Sequence, residues 1–119
     1  MNKTILFAFI IIASSCLLGC ASSIVDGEHM KTSSISFPPK SNTDAVDVYL
    51  SEKEPQRETI DIGIVTSRAW VLETGINELK TQARKLGADA IVHVVYERKF
   101  SADYLQDLYF INGEAVVWK

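Results

Sequence analysis

Two histidines, His29 and His93, two cysteines, Cys16 and Cys20, and an acidic run, Glu52, Glu54 and Glu58, are the side chains best suited to chemistry in this sequence. His93 stands in an alternating apolar segment. A catalytic role there requires a positioned acid or nucleophile beside it, and Asp61, Asp89 and Tyr109 are the residues that the chain could bring near. A histidine on a mixed strand face more commonly serves packing. His29 lies in a polar stretch without ligand spacing to a second histidine or cysteine. Glu52, Glu54 and Glu58 alternate with Lys53 and Arg57 and enclose Pro55. That is the composition of a solvated loop, whereas calcium takes about six or more oxygens from an ordered one. Gly63 and Gly87 do not make a phosphate-cradling pattern. No catalytic residue, metal site or cofactor is expected, and the chain reads as a non-enzyme.

The cysteines close the most apolar stretch. Behind Lys3, the run from Ile5 to Leu18 supplies 14 mostly apolar residues, interrupted by Ser14 and Ser15. A membrane-spanning helix needs roughly 20. A positive start, a short apolar core and a small residue at its end form a secretory signal. The ending Leu17-Leu18-Gly19-Cys20 resembles that of bacterial lipoprotein signals, although Leu18 is a less usual middle residue than Ala or Ser. The resemblance implies cleavage after Gly19 and a lipid on Cys20, the first residue of the mature protein. Cys16 follows Ala13-Ser14-Ser15, lacks the leading leucine, and leaves with the signal. One cysteine then remains and the lipid consumes it, so neither a disulfide framework nor a thiolate metal site is available. Ala21 stands where inner-membrane lipoproteins often carry aspartate. By the same resemblance it implies the outer membrane, with the domain facing the periplasm.

Residues 1–19 are thus read as signal, 20–44 as the lipidated cysteine and a flexible tether, and 45–119 as one small domain. Removing the signal takes Lys3 alone among the charged residues and leaves 11 basic against 15 acidic, a formal charge of −4. That balance argues against nucleic acid and against an electrostatic grip on anionic lipid. The tether, rich in Ser, Thr, Lys and Asn, has a reach of roughly 25 to 30 Å as a flexible coil. Within it, Phe37-Pro38-Pro39 is apolar and stiff, suited to packing on the domain or to meeting a partner.

Within the domain, 45–50 alternates weakly and reads as a first strand, and Thr59–Thr66 alternates well, with Ile60, Ile62 and Ile64 on one face and Asp61 on the other. Ser67 is a plausible helix cap. Leu72, Ile76, Leu79, Ala83 and Leu86 then form one helical stripe, which Gly87 ends. Gly75 costs roughly 1 kcal/mol inside a helix and makes the first turn uncertain. Residues 88–97 read as a strand. Asn112-Gly113 is a strong hairpin signal and predicts a turn between strands 107–111 and 114–118. The order is strand, strand, helix, strand, strand, strand. The expected fold is α+β in two layers, one amphipathic helix on a four- to five-stranded, mainly antiparallel sheet.

A two-residue loop at Asn112-Gly113 sorts the side chains. Leu108, Phe110, Ala115 and Val117 would share one face, toward the helix. Tyr109, Val116 and Trp118 would share the other, with Ile91, His93 and Val95 from the neighbouring strand. That second face is too apolar to stand in water. Its cover would be the Phe37 segment, a second copy or a partner.

Val46, Ile64-Val65, Leu79-Lys80, the run Lys85-Leu86-Gly87-Ala88-Asp89-Ala90 and the end Gly113-Glu114-Ala115-Val116-Val117-Trp118-Lys119 resemble a class of small bacterial lipoproteins. The domain of that class is similar to the outer-membrane sensor lipoprotein of the Rcs envelope-stress phosphorelay and to YbjQ-type domains. The resemblance implies a fold and an envelope setting but no functional residue. The Rcs sensor's domain is stapled by disulfides, and this one has no cysteine to do so. The function expected is that of a lipid-anchored, non-enzymatic interaction or sensor domain. It would bind an envelope protein partner, or itself, through Tyr109, Val116, Trp118 and His93. The alternative is a module binding a small ligand, a lipid or a peptidoglycan fragment.

Overall fold

Ile62, Val65, Ser67 and Ala69 recur along one strand, and all are buried under a helix whose own buried residues include Leu79, Gln82 and Ala83. These two elements set the architecture of the computed structural model, which describes residues 24–119. Cys20 and the signal lie outside the described residues. The elements are β1 (Val25–Lys31), β2 (Asp47–Leu50), β3 (Thr59–Ala69), α1 (Leu72–Leu86), β4 (Ala90–Ser101) and β5 (Gln106–Trp118). One five-stranded sheet has the order β1-β3-β5-β4-β2. All its pairs are antiparallel except β2 with β4. The fold is α+β in two layers, as expected, but the chain order is strand, strand, strand, helix, strand, strand.

The first correction concerns the expected tether. Residues Val25–Lys31 form an edge strand paired to β3 along their whole length, from Val25↔Ala69 to Lys31↔Gly63. Apolar alternation does not announce this strand, because its helix-facing residues are Gly27 and His29. A Cβ on Gly27 would meet Gln82 Cγ and Glu78 Cγ, each at 2.9 Å. His29 Nδ1 lies 2.7 Å from Gln82 Oε1, and Gln82 Nε2 donates to Glu78 Oε1 at 2.8 Å. The helix therefore meets this strand through hydrogen bonds and a missing side chain. Phe37, also in the expected tether, packs against the main core. Lys40 N–H donates to Arg84 O at 2.8 Å, and the Lys40 ammonium pairs with Asp89.

The second correction concerns Asn112-Gly113. β5 runs through it without a break, and the hairpin turn lies at residues 102–105, between β4 and β5. Gly113 serves a close approach. A Cβ there would lie 2.6 Å from Ile91 Cγ2 and 2.9 Å from Val94 Cγ2. Opposite it, β4 carries two residues, His93 and Val94, between the pairs Val92↔Glu114 and Val95↔Asn112. That is a β-bulge.

An unbroken β5 resorts the faces by parity. Tyr109, Ile111, Ala115 and Val117 join the main core under the helix. Val116, with Ala90 and Val92, forms a small second cluster on the outer face against Tyr49 and Trp118. The expected grouping of Phe110 with Ala115 and Val117 holds only if the chain reverses at 112–113.

The helix starts later than the Ser67 cap implies. Ser67 is buried in β3, and its hydroxyl donates to Gly75 O at 2.7 Å. Val71 occupies the N-cap without a side-chain bond. Gly75 lets the helix settle on the sheet, since a Cβ would sit 2.4 Å from Ile111 Cδ1. Gly87 ends the helix at φ 80°, as its type suggested. The helix lies over β1, β3 and β5 and barely touches β4. Phe37, Val46 and Val48 complete the core beside Ile91 and Val94.

Gly113→Ala is predicted to cost about 1 to 3 kcal/mol by overpacking against Ile91 and Val94. Asn112→Thr, on an exposed strand position, leaves stability unchanged or raises it. Urea unfolding midpoints of the two variants check this, and the reverse ranking would restore a turn at this position.

Candidate functional site

The sheet face away from the helix carries His93 and two open depressions. Its far end, at Ala90, Val92 and Val116, is closed by Tyr49, Trp118 and the loop following β2. The Arg57 guanidinium lies 4.6 Å from the centroid of the Trp118 ring. The expected interaction surface is therefore not assembled as one patch. Val116 is fully buried, Trp118 is partly covered, and Tyr109 lies on the helix side, its ring 6.1 Å from Tyr96. His93 alone of the four is open to solvent on this side. The covering segment is the loop of residues 51–58, and the Phe37 segment packs on the opposite face.

His93 is held in a conformation that few non-glycine residues adopt. Its φ is 52°, at the bulge position where glycine is usual. Its ring nitrogens lie between two carboxylates, Nδ1 at 2.7 Å from Glu114 Oε2 and Nε2 at 3.4 Å from Glu54 Oε1. The Glu114 hydrogen bond, and then the Glu54 one, raise the His93 pKa above its ordinary 6.5. Asp61, Glu58 and Arg57 line the same open depression, of about 370 Å³. The bulge turns the imidazole outward, and the acidic loop supplies its second partner. Both carboxylates favour the protonated imidazole. The arrangement presents no nucleophile poised against the histidine.

Of the other candidates near His93, Asp61 shares this depression and Asp89 does not. Asp89 accepts from Trp118 N at 2.8 Å and pairs with Lys40. Burial opposes its ionisation, but the Lys40 and Trp118 hydrogen bonds outweigh that and hold its pKa below the ordinary value. It is a structural tie between the start of β4, the end of β5 and the segment before β2. His29 is likewise structural, bonded to Gln82. Among the described residues no three His, Cys, Asp or Glu side chains are placed to hold a metal ion. No described helix is long and apolar enough to cross a membrane.

Among the described residues, none covers the remaining outer face, over β1, β3 and β5. Met30 pairs across to Ile64, and Arg68 pairs across to Phe110. Met30, Ile64, Val95 and Phe110 are exposed. Arg68 forms an ion pair with Asp26 that raises its own pKa. Asp26, Thr66, Arg68, Phe110 and Asn112 border an open depression of about 540 Å³. Sequence reading missed this region, because β1 was absent from it and Phe110 was assigned to the helix side. Exposed Thr66 and Arg68 against buried Val65 and Ala69 were the available signal, which exposed Ile64 and buried Ser67 obscure.

The fold has a counterpart among solved structures. The crystal structure of the Francisella virulence factor FvfA is similar to this chain with a TM-score of 0.50, at 16% sequence identity, over 77% of this chain and 98% of that one. At that identity the likeness is one of fold. No family model matches the sequence, and no curated protein does.

The paired carboxylates give a pH test. With the folded pKa of His93 raised, its pairing favours the native state fully below about pH 6.5. The contribution is lost as pH rises through the folded value. Imidazole titration by NMR is predicted to show His93 above 6.5, with Glu114→Gln lowering it more than Glu54→Gln. The backbone gives a second test. His93→Gly keeps or raises the thermal midpoint, because glycine accepts this φ freely, whereas His93→Val lowers it.

Proposed function

We propose that this chain is a lipid-anchored, non-enzymatic interaction domain of the bacterial envelope. Cys20 carries the anchor in the outer membrane, and the domain faces the periplasm. The observation that carries the reading is the uneven cover of the outer sheet face. The chain spends its own loop, through Arg57 and Trp118, on one end of that face. It leaves Met30, Ile64 and Phe110 exposed on the rest. Exposed apolar side chains beside a strand that is an edge among the described residues are the features by which sheets recruit partners.

The partner's chemistry follows from the surroundings. Glu28 and Glu114 flank the exposed apolar residues, and the acidic loop with Glu54 and Glu58 lies beyond. An envelope protein segment with apolar side chains and flanking basic residues complements this surface. The resemblance of the sequence to envelope lipoproteins supports the setting. His93 and its two carboxylates, already engaged with one another, fit a proton-responsive border better than a catalytic centre. The depression beside Phe110 and Arg68 falls within the size range of small-ligand sites and supports the second reading, a bound lipid or peptidoglycan fragment.

A photoreactive amino acid at Ile64 or Phe110, activated in cells, is predicted to yield one adduct of protein mass. Asn77, on the exposed side of the helix, should yield none. Adducts of saccharide or lipid mass would favour the second reading. Equal labelling from Asn77 and Ile64 would contradict both. Cys20→Ser is expected to release the protein from the membrane fraction, and retention without it would remove the anchor.

A further inference from the structure

The strand that replaces the expected tether changes where the domain can stand. We infer that the end of the sheet carrying the β4–β5 hairpin rests on the lipid surface to which Cys20 is anchored. The contact is made by Phe100, Tyr104, Leu105 and Val71. The inference rests on the lipid-anchor reading of Cys20.

Four residues, 21–24, separate Cys20 from Val25. At roughly 3.6 Å per residue fully extended, the five steps to Val25 span at most about 18 Å. β1 runs away from Val25, so the chain enters the sheet from that end. Val25 pairs with Ala69, Ala69 with Tyr109 and Tyr109 with Arg98, which makes one row across four strands. The hairpin continues three residue pairs past this row, to Ser101↔Gln106. At roughly 3.4 Å per residue it projects about 10 Å further. The leash and the projection are comparable, so a lipid on Cys20 holds the hairpin tip at the membrane.

The tip is built for such a surface. Leu105 is 79% exposed, Phe100 63%, Tyr104 59% and Val71 56%. Trp70 and Tyr104 meet edge to face at 5.1 Å, which ties the turn to the start of the helix. Aromatic side chains with one polar end suit the membrane interface. The basic residues nearby are matched by acids. Arg98 lies 3.5 Å from Asp107, Lys99 lies 3.6 Å from Glu97, and Arg68 pairs with Asp26. The contact is thus apolar rather than electrostatic. Asp103, in the same turn, keeps it at the headgroup boundary. The strands then stand upright on the membrane, with the outer sheet face turned sideways toward other envelope proteins.

The test uses the full lipidated protein, with the acyl mass on Cys20 verified. Mature residues after Cys20 include no cysteine, so Leu105→Cys and Ser34→Cys each accept one fluorophore. Ser34 follows β1 at the opposite end of the sheet. The proteins are placed in vesicles of phosphatidylethanolamine and phosphatidylglycerol carrying a nitroxide on the acyl chain. Several-fold stronger quenching at 105 than at 34, insensitive to salt, is expected. Equal quenching on protein that floats with the vesicles would overturn the docking and leave the anchor standing. Self-quenching between labels at 105 without lipid quenching would overturn it in favour of a second copy on the tip. Absence of the acyl mass would overturn the anchor and the inference with it.

Discussion

The helix of this domain sits off the centre of its sheet, and β1 is what makes that position tenable. α1 rests on β1, β3 and β5, and its edge over β1 is polar. Gly27 leaves room for Gln82 and Glu78, while His29 satisfies Gln82. Gln82 is buried, and a buried amide without partners would cost more than its bonds contribute. Remove the strand and the helix loses part of its floor, and Gln82 loses its partner from that strand. The offset also leaves β4 uncovered on the helix side. Val48 of β2 occupies that place with Phe37 and Val46, which the otherwise largely exposed, Pro-containing segment before β2 contributes to the core.

A second constraint shapes the outer face. The bulge at His93–Val94 opposite Gly113 changes the parity of β4 once. Ile91 and Val94, three residues apart, both reach the core under the helix, and His93 turns outward between Glu114 and Glu54. A residue in the left-handed region at a site where glycine would be ordinary is a cost the fold carries. The histidine there is the feature that most distinguishes this face from simple sheet surface.

The sequence contains the helix and its end plainly. The stripe from Leu72 to Leu86 and Gly87 behind it are local features, and they occur where periodicity puts them. The alternation of β3 announced a strand but mis-sorted its faces: the register shift between Asp61 and Gly63 buries Ile62, Gly63 and Val65 and leaves Ile60 and Ile64 exposed. Two features were not legible for physical reasons. β1 carries a glycine and a histidine on its inner side, so burial left no apolar pattern to read. Gly113 has two uses, a turn or a close approach, and only the position of Ile91 and Val94 across the strand decides between them. From that single ambiguity came the exchange of Tyr109 for Phe110 between faces. His93 was legible as a residue on a mixed face, but Glu54 and Glu114 come to it from a loop and a neighbouring strand.

These constraints meet in one account. Four residues separate Cys20 from the first strand, and the end of the sheet where that strand begins carries the exposed Val71, Phe100, Tyr104 and Leu105. With the proposed lipid on Cys20, a domain arranged in this way would act at the membrane surface, beside its neighbours. Neutron reflectometry of the lipidated protein on a supported bilayer measures this directly. Protein density beginning at the headgroups, with no water layer between, is the predicted profile. A hydrated gap of roughly 25 Å, the reach of a flexible tether, would contradict it.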